Sequence, residues 1–254
     1  DYAKTLPIRH IMINTNGIRI ADDKGFAERL NDYMPGIEIY LQFDSFKPHV
    51  LTKLRGKDLS AKRQKALEKL EKFNIHSTLV VTLERGQNDD EIGKIIDFAL
   101  EYRCLRGVTF QPTQVAGRTD NFDPLKNKFT LTETRQGILD QTDIFKENDI
   151  IPVPCNPDAL AMAYALKLDG KVVPLTSMID PDIFLNGTRN TILLEQEENL
   201  QKELIKVFST SQTGGTLAKN LQTLLCCLPM ISAPNLSYEN IFRVIILKFM
   251  DAHD

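Results

Sequence analysis

The sequence predicts an α/β fold in which parallel β-strands alternate with α-helices. Residues 1–155 repeat one unit, a short β-rich run followed by a polar turn and an amphipathic stretch with helical spacing. Strands that alternate with helices of this length pair in parallel through right-handed crossovers. The pattern favours βα units of a partial barrel, or of an open doubly wound sheet, and it changes after Cys155.

Five strands are predicted in this part of the chain, at residues 10–14, 37–43, 78–83, 107–111 and 150–153. The first predicted helix lies between the second and third strands. Ser60 is expected to be its N-cap, and the helix continues to Phe73. Leu67, Leu70 and Phe73 form one apolar stripe against a lysine-rich outer face, which is typical of a helix packed on a sheet.

Two further helices complete the alternation. The Asn-Asp-Asp run at 88–90 offers caps and negative charge for a helix that buries residues 92, 95, 96 and 99. Thr132 or Thr134 is expected to open the next helix, which carries Ile138 and Phe145. Each helix therefore follows a predicted strand.

The sequence after Cys155 predicts a smaller α+β portion, residues 156–254, appended to a barrel domain of residues 1–155. A hairpin is predicted at 168–172, with its turn at Asp169-Gly170. Helices are predicted at 192–208 and 217–228, and a buried strand at 241–249. Because only five residues follow that strand, we expect the natural protein to continue beyond it.

The composition is that of a globular protein without a basic surface. Of the 254 residues, 42% are hydrophobic and 26% are charged, and the net charge is -3. This balance argues against nucleic acid or an anionic membrane as a partner. No apolar run approaches the roughly 20 residues of a membrane-spanning helix. The 4 cysteines have no Cys-x-x-Cys spacing and are too few for a disulfide-built secreted domain, so a cytoplasmic protein is expected.

Polar residues follow the ends of the predicted strands, where parallel α/β folds bind their ligands. The candidate binding residues are Asn14, Asn16, Gln42, Asp44, Arg85, Asn88 and Gln111. Because side chains alternate faces along a strand, Gln42 and Asp44 are expected to share one face. The same holds for Asn14 and Asn16. Their carboxamides and carboxylate suit a ligand rich in hydroxyl and amine groups, such as a ribose or an aminoacyl group.

Other chemical motifs are absent from the sequence. There is no dinucleotide-binding or Walker loop, and the four histidines do not have the spacing of metal ligands. No catalytic residue and no metal ligand is assigned.

The strand ends resemble the radical S-adenosylmethionine (radical SAM) superfamily, most closely the branch of archaeal pterin methylases and tetraether-lipid synthases. The matching stretches are Ile-Asn-Thr-Asn-Gly at 13–17, Ile-Tyr-Leu-Gln-Phe-Asp at 39–44, Leu-Arg-Gly-Lys-Asp-Leu at 54–59, Arg-Gly-Gln-Asn-Asp at 85–89 and Gly-Val-Thr-Phe-Gln-Pro at 107–112. Gly117-Arg118 and the stretch Phe-Met-Asp-Ala-His at 249–253 also match. Five motifs in the same order and spacing make the resemblance fairly specific.

The resemblance implies a partial (β/α) barrel that binds S-adenosylmethionine and a [4Fe–4S] cluster. Such a pair generates a 5′-deoxyadenosyl radical, which abstracts hydrogen from a small-molecule substrate. By the same resemblance Asn16 lies near the aminoacyl or ribose part of the cofactor, and Gln42 and Asp44 end the strand that contacts the ribose. Arg85, Asn88 and Gln111 would line the cofactor or the substrate.

The sequence departs from the family in three places. The family's three-cysteine cluster loop, its Gly-Gly-Glu-Pro segment and the cysteine-rich segment after 249–253 do not occur here. The cluster ligands are therefore expected outside this chain. The first hypothesis is therefore a fragment of a radical SAM enzyme that methylates or forms carbon–carbon bonds in a cofactor or lipid. The missing strands would leave an open sheet edge able to pair with a second copy.

Two alternatives remain. One is a non-catalytic α/β module that has lost the cluster and binds a nucleotide-like ligand in the same place. The other is a different barrel enzyme that uses Asp44 and Arg85 for acid–base or electrostatic catalysis.

Overall fold

A computed structural model describes residues 2–8, 10–114, 123–153, 156–168, 171–177 and 240–249. Several predicted features lie outside these residues. They are the helices at 192–208 and 217–228, the turn at Asp169-Gly170, Arg118, Cys155, Cys226, Cys227 and the end of the motif at 250–253. The described helices include none that is long and apolar enough to cross a membrane.

One mixed sheet organises the described residues. Its strands are β1 (Ile11–Thr15), β2 (Ile37–Gln42), β3 (Ser77–Leu83), β4 (Leu105–Pro112), β5 (Ile151–Pro152), β6 (Leu160–Leu168), β7 (Lys171–Pro174) and β8 (Ile241–Leu247). The strand order is β1-β2-β3-β4-β8-β6-β5, with β7 also paired to β6. Strands β1 to β4 and β8 are parallel, whereas β6 is antiparallel to β8, β5 and β7. The predicted α/β fold with parallel strands and flanking helices is confirmed.

The helices follow the strands as the alternation predicts. They are α1 (Ile18–Asp22), α2 (Phe26–Asn31), α3 (Pro48–Arg55), α4 (Ser60–Lys72), α5 (Ile92–Glu101), α6 (Pro124–Asn127) and α7 (Leu131–Gln141). Short 3-10 turns occur at Tyr2–Thr5, Asp89–Glu91, Glu147–Asp149 and Leu175–Ser177.

Two of the predicted helix starts are wrong by a small shift. Helix α4 has Leu59 as its N-cap, and the N–H of Ser60 donates to Asp58 Oδ1 at 2.9 Å. Helix α7 is capped by Thr130, whose hydroxyl accepts from the N–H of Glu133 while the Glu133 carboxylate accepts from Thr130. This capping box occupies two backbone donors that a start at Thr132 or Thr134 would leave unpaired.

The apolar core lies between the sheet and its helices. Ile39 and Leu41 of β2 alternate toward this side and belong to the same buried cluster as Leu67 and Leu70 of α4 and Ile96 of α5. We call this side of the sheet the helix-packed face. Burial of each of these side chains stabilises the fold by about 1.5–3 kcal/mol.

The opposite side of the same strands is polar, and we call it the polar face. It carries Glu38 and Gln42 of β2, Thr78 and Thr82 of β3, Thr109 and Gln111 of β4, and Arg243 of β8. The strand register places these residues on one side, because Gln42 pairs with Val80, Val80 with Thr109, Thr82 with Gln111 and Gly107 with Arg243. Polar groups therefore run along this face from one end of β2 to the other.

Strands β8 and β5 differ from expectation in their setting. β8 inserts beside β4, so one sheet crosses the predicted boundary at residue 155. The division into two domains stays a prediction. The strand predicted at 150–153 is the two-residue β5, which pairs antiparallel with β6 at the far edge and is not a further βα unit of the barrel.

Candidate functional site

The carboxyl ends of β1, β2, β3 and β4 meet at one edge of the sheet, because these strands are parallel and adjacent. The last polar-face residues of β2, β3 and β4 there are Gln42, Thr82 and Gln111. We call this place the carboxyl edge. In parallel α/β folds this is the edge at which ligands bind.

Gln42 and Gln111 are the predicted residues that the carboxyl edge brings onto one open surface. Both are half-buried, and neither carboxamide forms a hydrogen bond within the described residues. One strand separates them, and Gln111 lies two residues beyond Thr109, the residue level with Gln42, so the usual strand geometry puts them about 12 Å apart. Two unpaired carboxamides at that separation can donate to and accept from opposite ends of a nucleoside-sized molecule.

Asn14 and Asn16 lie at the margin of this surface. Asn14 is on the polar face of β1, in register with Tyr40, and it is exposed. Asn16 is also exposed, and its Oδ1 accepts from the N–H of Ile18 at 3.1 Å. That bond supports the turn through Gly17, whose φ of 78° is left-handed. Contact of either asparagine with a ligand stays a prediction.

Asp44 does not share the face of Gln42 in the expected way. Strand β2 ends at Gln42, and Asp44 has a φ of 62°, so the alternation of faces stops before it. Its fully buried carboxylate accepts from Arg55 Nε and Nη2 at 2.8 Å each, and from Arg63 Nη2 and the N–H of Thr82 at 3.1 Å. The parity prediction is wrong for Asp44, and the structure gives this carboxylate a cross-linking role.

Asn88 is likewise fully paired. Its Nδ2 donates to the carbonyls of Asp44 and Thr82 at 2.8 Å, and its Oδ1 accepts from the N–H of Glu84 at 3.0 Å. The side chain thus joins the ends of β2 and β3 and does not cap α5, whose N-cap is Glu91.

Arg85 binds a neighbouring segment of the chain. Its guanidinium donates to the carbonyl of Lys128 at 2.7 Å and to Glu133 Oε1 at 2.5 Å. Burial would raise the pKa of Glu133, but the hydrogen bonds from Arg85 and Thr130, together with the Arg85 charge, hold it below its ordinary value. With Asp44 held by arginines and Arg85 by Glu133, neither group is arranged as an acid–base catalyst, and a cofactor contact for Arg85 stays a prediction.

Two features of this region cannot be read from the sequence alone. Arg55 of the Leu-Arg-Gly motif at 54–56 lies at the carboxyl edge, where it binds Asp44. The buried pair of Glu38 and Arg243 on the polar face was also missed. Its signal was the glutamate inside the apolar run at 37–43, since a charge within a buried strand needs a partner.

The described residues contain no group of three or more His, Cys, Asp or Glu side chains able to hold a metal. Cys104 is a buried free thiol. Burial raises the pKa of Cys104 well above its ordinary value, and the nearby Glu71 carboxylate raises it further. A thiolate ligand is therefore disfavoured at this position.

Comparison with known proteins agrees with the resemblance to the radical SAM superfamily. A family model described as the radical SAM superfamily matches residues 1–99. The chain is also 31% identical over 218 residues to the 7,8-dihydro-6-hydroxymethylpterin dimethyltransferase of Methanocaldococcus jannaschii. The predicted resemblance to the radical SAM superfamily is confirmed.

The extent of these matches differs between the chains. The alignment with the dimethyltransferase covers 75% of this chain and 42% of that protein, so the chain spans less than half of this relative's length. A solved structure described as native anSMEcpe with bound AdoMet and Kp18Cys peptide has a TM-score of 0.37 and 12% identity. That match covers 78% of this chain and 60% of the other.

The two cofactors of a radical SAM enzyme fit the described residues unequally. The unpaired carboxamides of Gln42 and Gln111 fit the hydroxyl, amine and carboxylate groups of S-adenosylmethionine. The cluster does not fit, because Cys104 is the one cysteine in the described residues and it is buried away from the carboxyl edge, at the start of β4.

Proposed function

We propose that this chain forms the S-adenosylmethionine-facing and substrate-facing wall of a radical SAM enzyme. The observation that carries the proposal is the pair of unpaired carboxamides, Gln42 and Gln111, at the carboxyl edge of a radical SAM sheet. The chain's own residues bind and orient the cofactor. The radical chemistry of the family needs a cluster, whose ligands we place in sequence outside this chain.

The substrate and reaction follow from the relative and are part of the same proposal. The aligned protein of Methanocaldococcus jannaschii is named a dimethyltransferase of a hydroxymethylpterin. We therefore assign this chain to methylation, or related carbon–carbon bond formation, on a small cofactor-like or lipid molecule in the cytoplasm. The open edge of β1, which pairs with β2 alone among the described strands, is assigned to pairing with a further strand or a second copy.

Calorimetric titration of the purified chain with S-adenosylmethionine tests the binding role. Gln42→Ala and Gln111→Ala are each expected to weaken binding by about 3-fold to 10-fold, the value of one or two hydrogen bonds. Gln136→Ala is the matched control, because Gln136 is exposed on α7 and bonds only to Asp140 within that helix. Equal affinities for all three variants, or no binding by the wild-type chain, would contradict the proposal.

A second measurement separates the enzyme from a non-catalytic binding module. The protein at its full natural length is reconstituted anaerobically with iron and sulfide, and its thiolate-to-iron absorbance is recorded. A coloured protein that consumes S-adenosylmethionine supports the radical enzyme. A colourless, iron-free protein that still binds S-adenosylmethionine supports the module.

A further inference from the structure

A cavity of about 300 Å³ lies on the helix-packed face, between α4 and α5. Leu41 of β2 and the following Phe43 form its floor, and its walls include Leu67 of α4 and Phe98 of α5. Because side chains alternate faces along a strand, Leu41 points away from the side of the sheet that carries Gln42. The cavity is therefore separate from the surface that we assign to S-adenosylmethionine.

Three aromatic rings form one wall of this cavity. The ring of Phe46 lies edge-on to those of Phe43 and Phe98, with centroids 5.0 Å and 5.2 Å apart. Phe43 and Phe98 stack with their centroids 5.3 Å apart. Each ring thus contacts the other two, and such a set of rings accepts a further flat ring in a stacked or edge-to-face arrangement.

Arg63 is the charged group of the cavity. Among the described residues that line it, this side chain alone carries a charge, and it is 2% exposed. Its Nη2 donates to Asp44 Oδ2 at 3.1 Å, whereas its Nε and Nη1 are buried without a hydrogen-bond partner. Buried donors that lack an acceptor cost free energy, so an acceptor brought by a ligand would be favourable there.

The surrounding carboxylates do not neutralise Arg63. Asp44 also accepts two shorter bonds from Arg55, at 2.8 Å each, so one carboxylate serves two guanidiniums. Asp58 is exposed to solvent, which screens its charge. The buried Glu91 accepts from the hydroxyl of Ser45 and forms no ion pair with Arg63 among the described residues. One positive charge is therefore in excess beside the cavity.

The pKa of Arg63 reflects the same imbalance. Burial lowers this pKa, and the charge of Arg55 lowers it further, against the opposing effect of Asp44. A second anion near the guanidinium would offset both unfavourable effects.

The cavity opens to solvent along α4. Ser60, Ala61 and Gln64 line it and are exposed, so a ligand can enter without separation of the helices from the sheet. Gln64 Nε2 donates to Tyr102 Oη at 3.3 Å, which joins α4 to the end of α5. The volume equals that of about ten water molecules and lies at the lower end of the range for ligand pockets, which suits a molecule of one or two rings.

We propose that this cavity binds a small aromatic carboxylate. The ring packs against Phe46 and Phe98, and the carboxylate accepts from the unpaired donors of Arg63. A charge-assisted hydrogen bond in an apolar cavity is stronger than one in water, so the carboxylate is the group that gives selectivity. The proposal does not depend on the proposed function, because its residues lie on the other side of the sheet.

The first test compares ligands that share a ring and differ in charge. Calorimetry of the wild-type chain should show that 2-naphthoate binds at least about 10-fold more tightly than the uncharged 2-naphthylmethanol. Acetate, which has the carboxylate without the ring, should not bind measurably. No binding of 2-naphthoate, or equal affinities for the two naphthyl ligands, overturns the proposal.

The second test locates the bound ligand. Ala61→Trp fills the mouth of the cavity and should weaken the binding of 2-naphthoate by at least about 10-fold. Lys62→Trp is the matched control, because it places the same ring at the next exposed position of α4, where the lysine pairs with Asp22 of α1. This control should change the affinity by less than about 2-fold. Unchanged binding in Ala61→Trp, or equal losses in the two variants, contradicts this site.

The third test concerns Arg63 itself. Arg63→Met should bind both naphthyl ligands with affinities within about 2-fold of each other, because the donors that recognise the carboxylate are gone. A folded Arg63→Met that still prefers 2-naphthoate overturns the role of Arg63. Should this variant fail to fold, the wild-type and Ala61→Trp titrations decide.

Competition keeps this proposal distinct from the proposed function. Saturating 2-naphthoate should leave S-adenosylmethionine able to bind, whereas mutually exclusive binding would place the carboxylate at the carboxyl edge and overturn the cavity site. If the wild-type chain binds 2-naphthoate in the cavity and no S-adenosylmethionine, the proposed function fails and the cavity site stands.

Discussion

Strand β2 carries two polar groups on the same face, one at each end, and their surroundings differ. At the amino end Glu38 is 2% exposed and accepts from Arg243 Nη2 and Thr78 Oγ1 at 2.5 Å each, with His10 Nε2 at 3.1 Å. At the carboxyl end Gln42 is half-buried and unpaired within the described residues. The carboxylate of Glu38 is paired with the protein's own groups, whereas the carboxamide of Gln42 keeps its hydrogen-bonding groups for a ligand.

The difference shows how one sheet divides stability from binding. A carboxylate can stay inside a protein only when a cation and hydrogen-bond donors offset its lost hydration. A half-buried carboxamide loses much less hydration free energy, so it can remain without a protein partner until a ligand binds. Glu38 should therefore matter for folding, and Gln42 and Gln111 for binding.

Removing the Glu38 carboxylate at the amino end of β2 should have the largest effect on stability. Glu38→Ala leaves Arg243 buried without its carboxylate, and we expect a loss of about 3–5 kcal/mol in the free energy of unfolding. Urea unfolding followed by circular dichroism measures the change. Asp22→Ala removes the exposed partner of Lys62 and should leave the free energy of unfolding nearly unchanged, because the pair is screened by solvent. Equal losses in the two variants would show that the Glu38 pair is not structural.

The pH dependence sharpens the same comparison. Burial by itself would raise the pKa of Glu38, but the charge of Arg243, the contact with His10 and the bonds from Thr78 and Arg243 lower it well below its ordinary value. A carboxyl whose pKa is lower in the folded state stabilises the fold above its unfolded pKa of about 4.3, and this contribution is lost as the pH falls below that value.

Urea midpoints measured from about pH 6 to about pH 3 should therefore fall more steeply for the wild type than for Glu38→Gln, which has no carboxyl to titrate. Other carboxylates with lowered pKa values, such as Glu71 and Glu133, contribute equally to both proteins. Parallel pH profiles would assign the acid sensitivity to those groups instead.

The carboxyl end of β2, with Gln42, is more predictable from the sequence than the amino end, with Glu38, for a physical reason. Strands β1 to β4 follow from local alternation, and their ends differ from the predictions by at most two residues. The partner of Glu38 lies 205 positions away, in a strand whose insertion beside β4 depends on long-range pairing. Alternation alone does not specify which distant strand completes a sheet.

Local exceptions explain the remaining errors at the site. The left-handed φ of Asp44 breaks the alternation that placed it beside Gln42, and such a φ at an aspartate cannot be read from the spacing of apolar residues. The cap of α7 was readable, because Thr130 and Glu133 have the spacing of a capping box. The position of Arg55 could not be read from the sequence, because it depends on where the carboxylate of Asp44 points.

The smallest expected effect on stability is at the open end. Gln111→Ala removes a half-buried carboxamide that has no hydrogen-bond partner within the described residues, so we expect the free energy of unfolding to change by less than about 0.5 kcal/mol. Urea unfolding of this variant, set beside its weakened binding of S-adenosylmethionine, completes the comparison. A loss of stability approaching that of Glu38→Ala would mean that Gln111 supports the sheet, and the separation of a folding end from a binding end would fail.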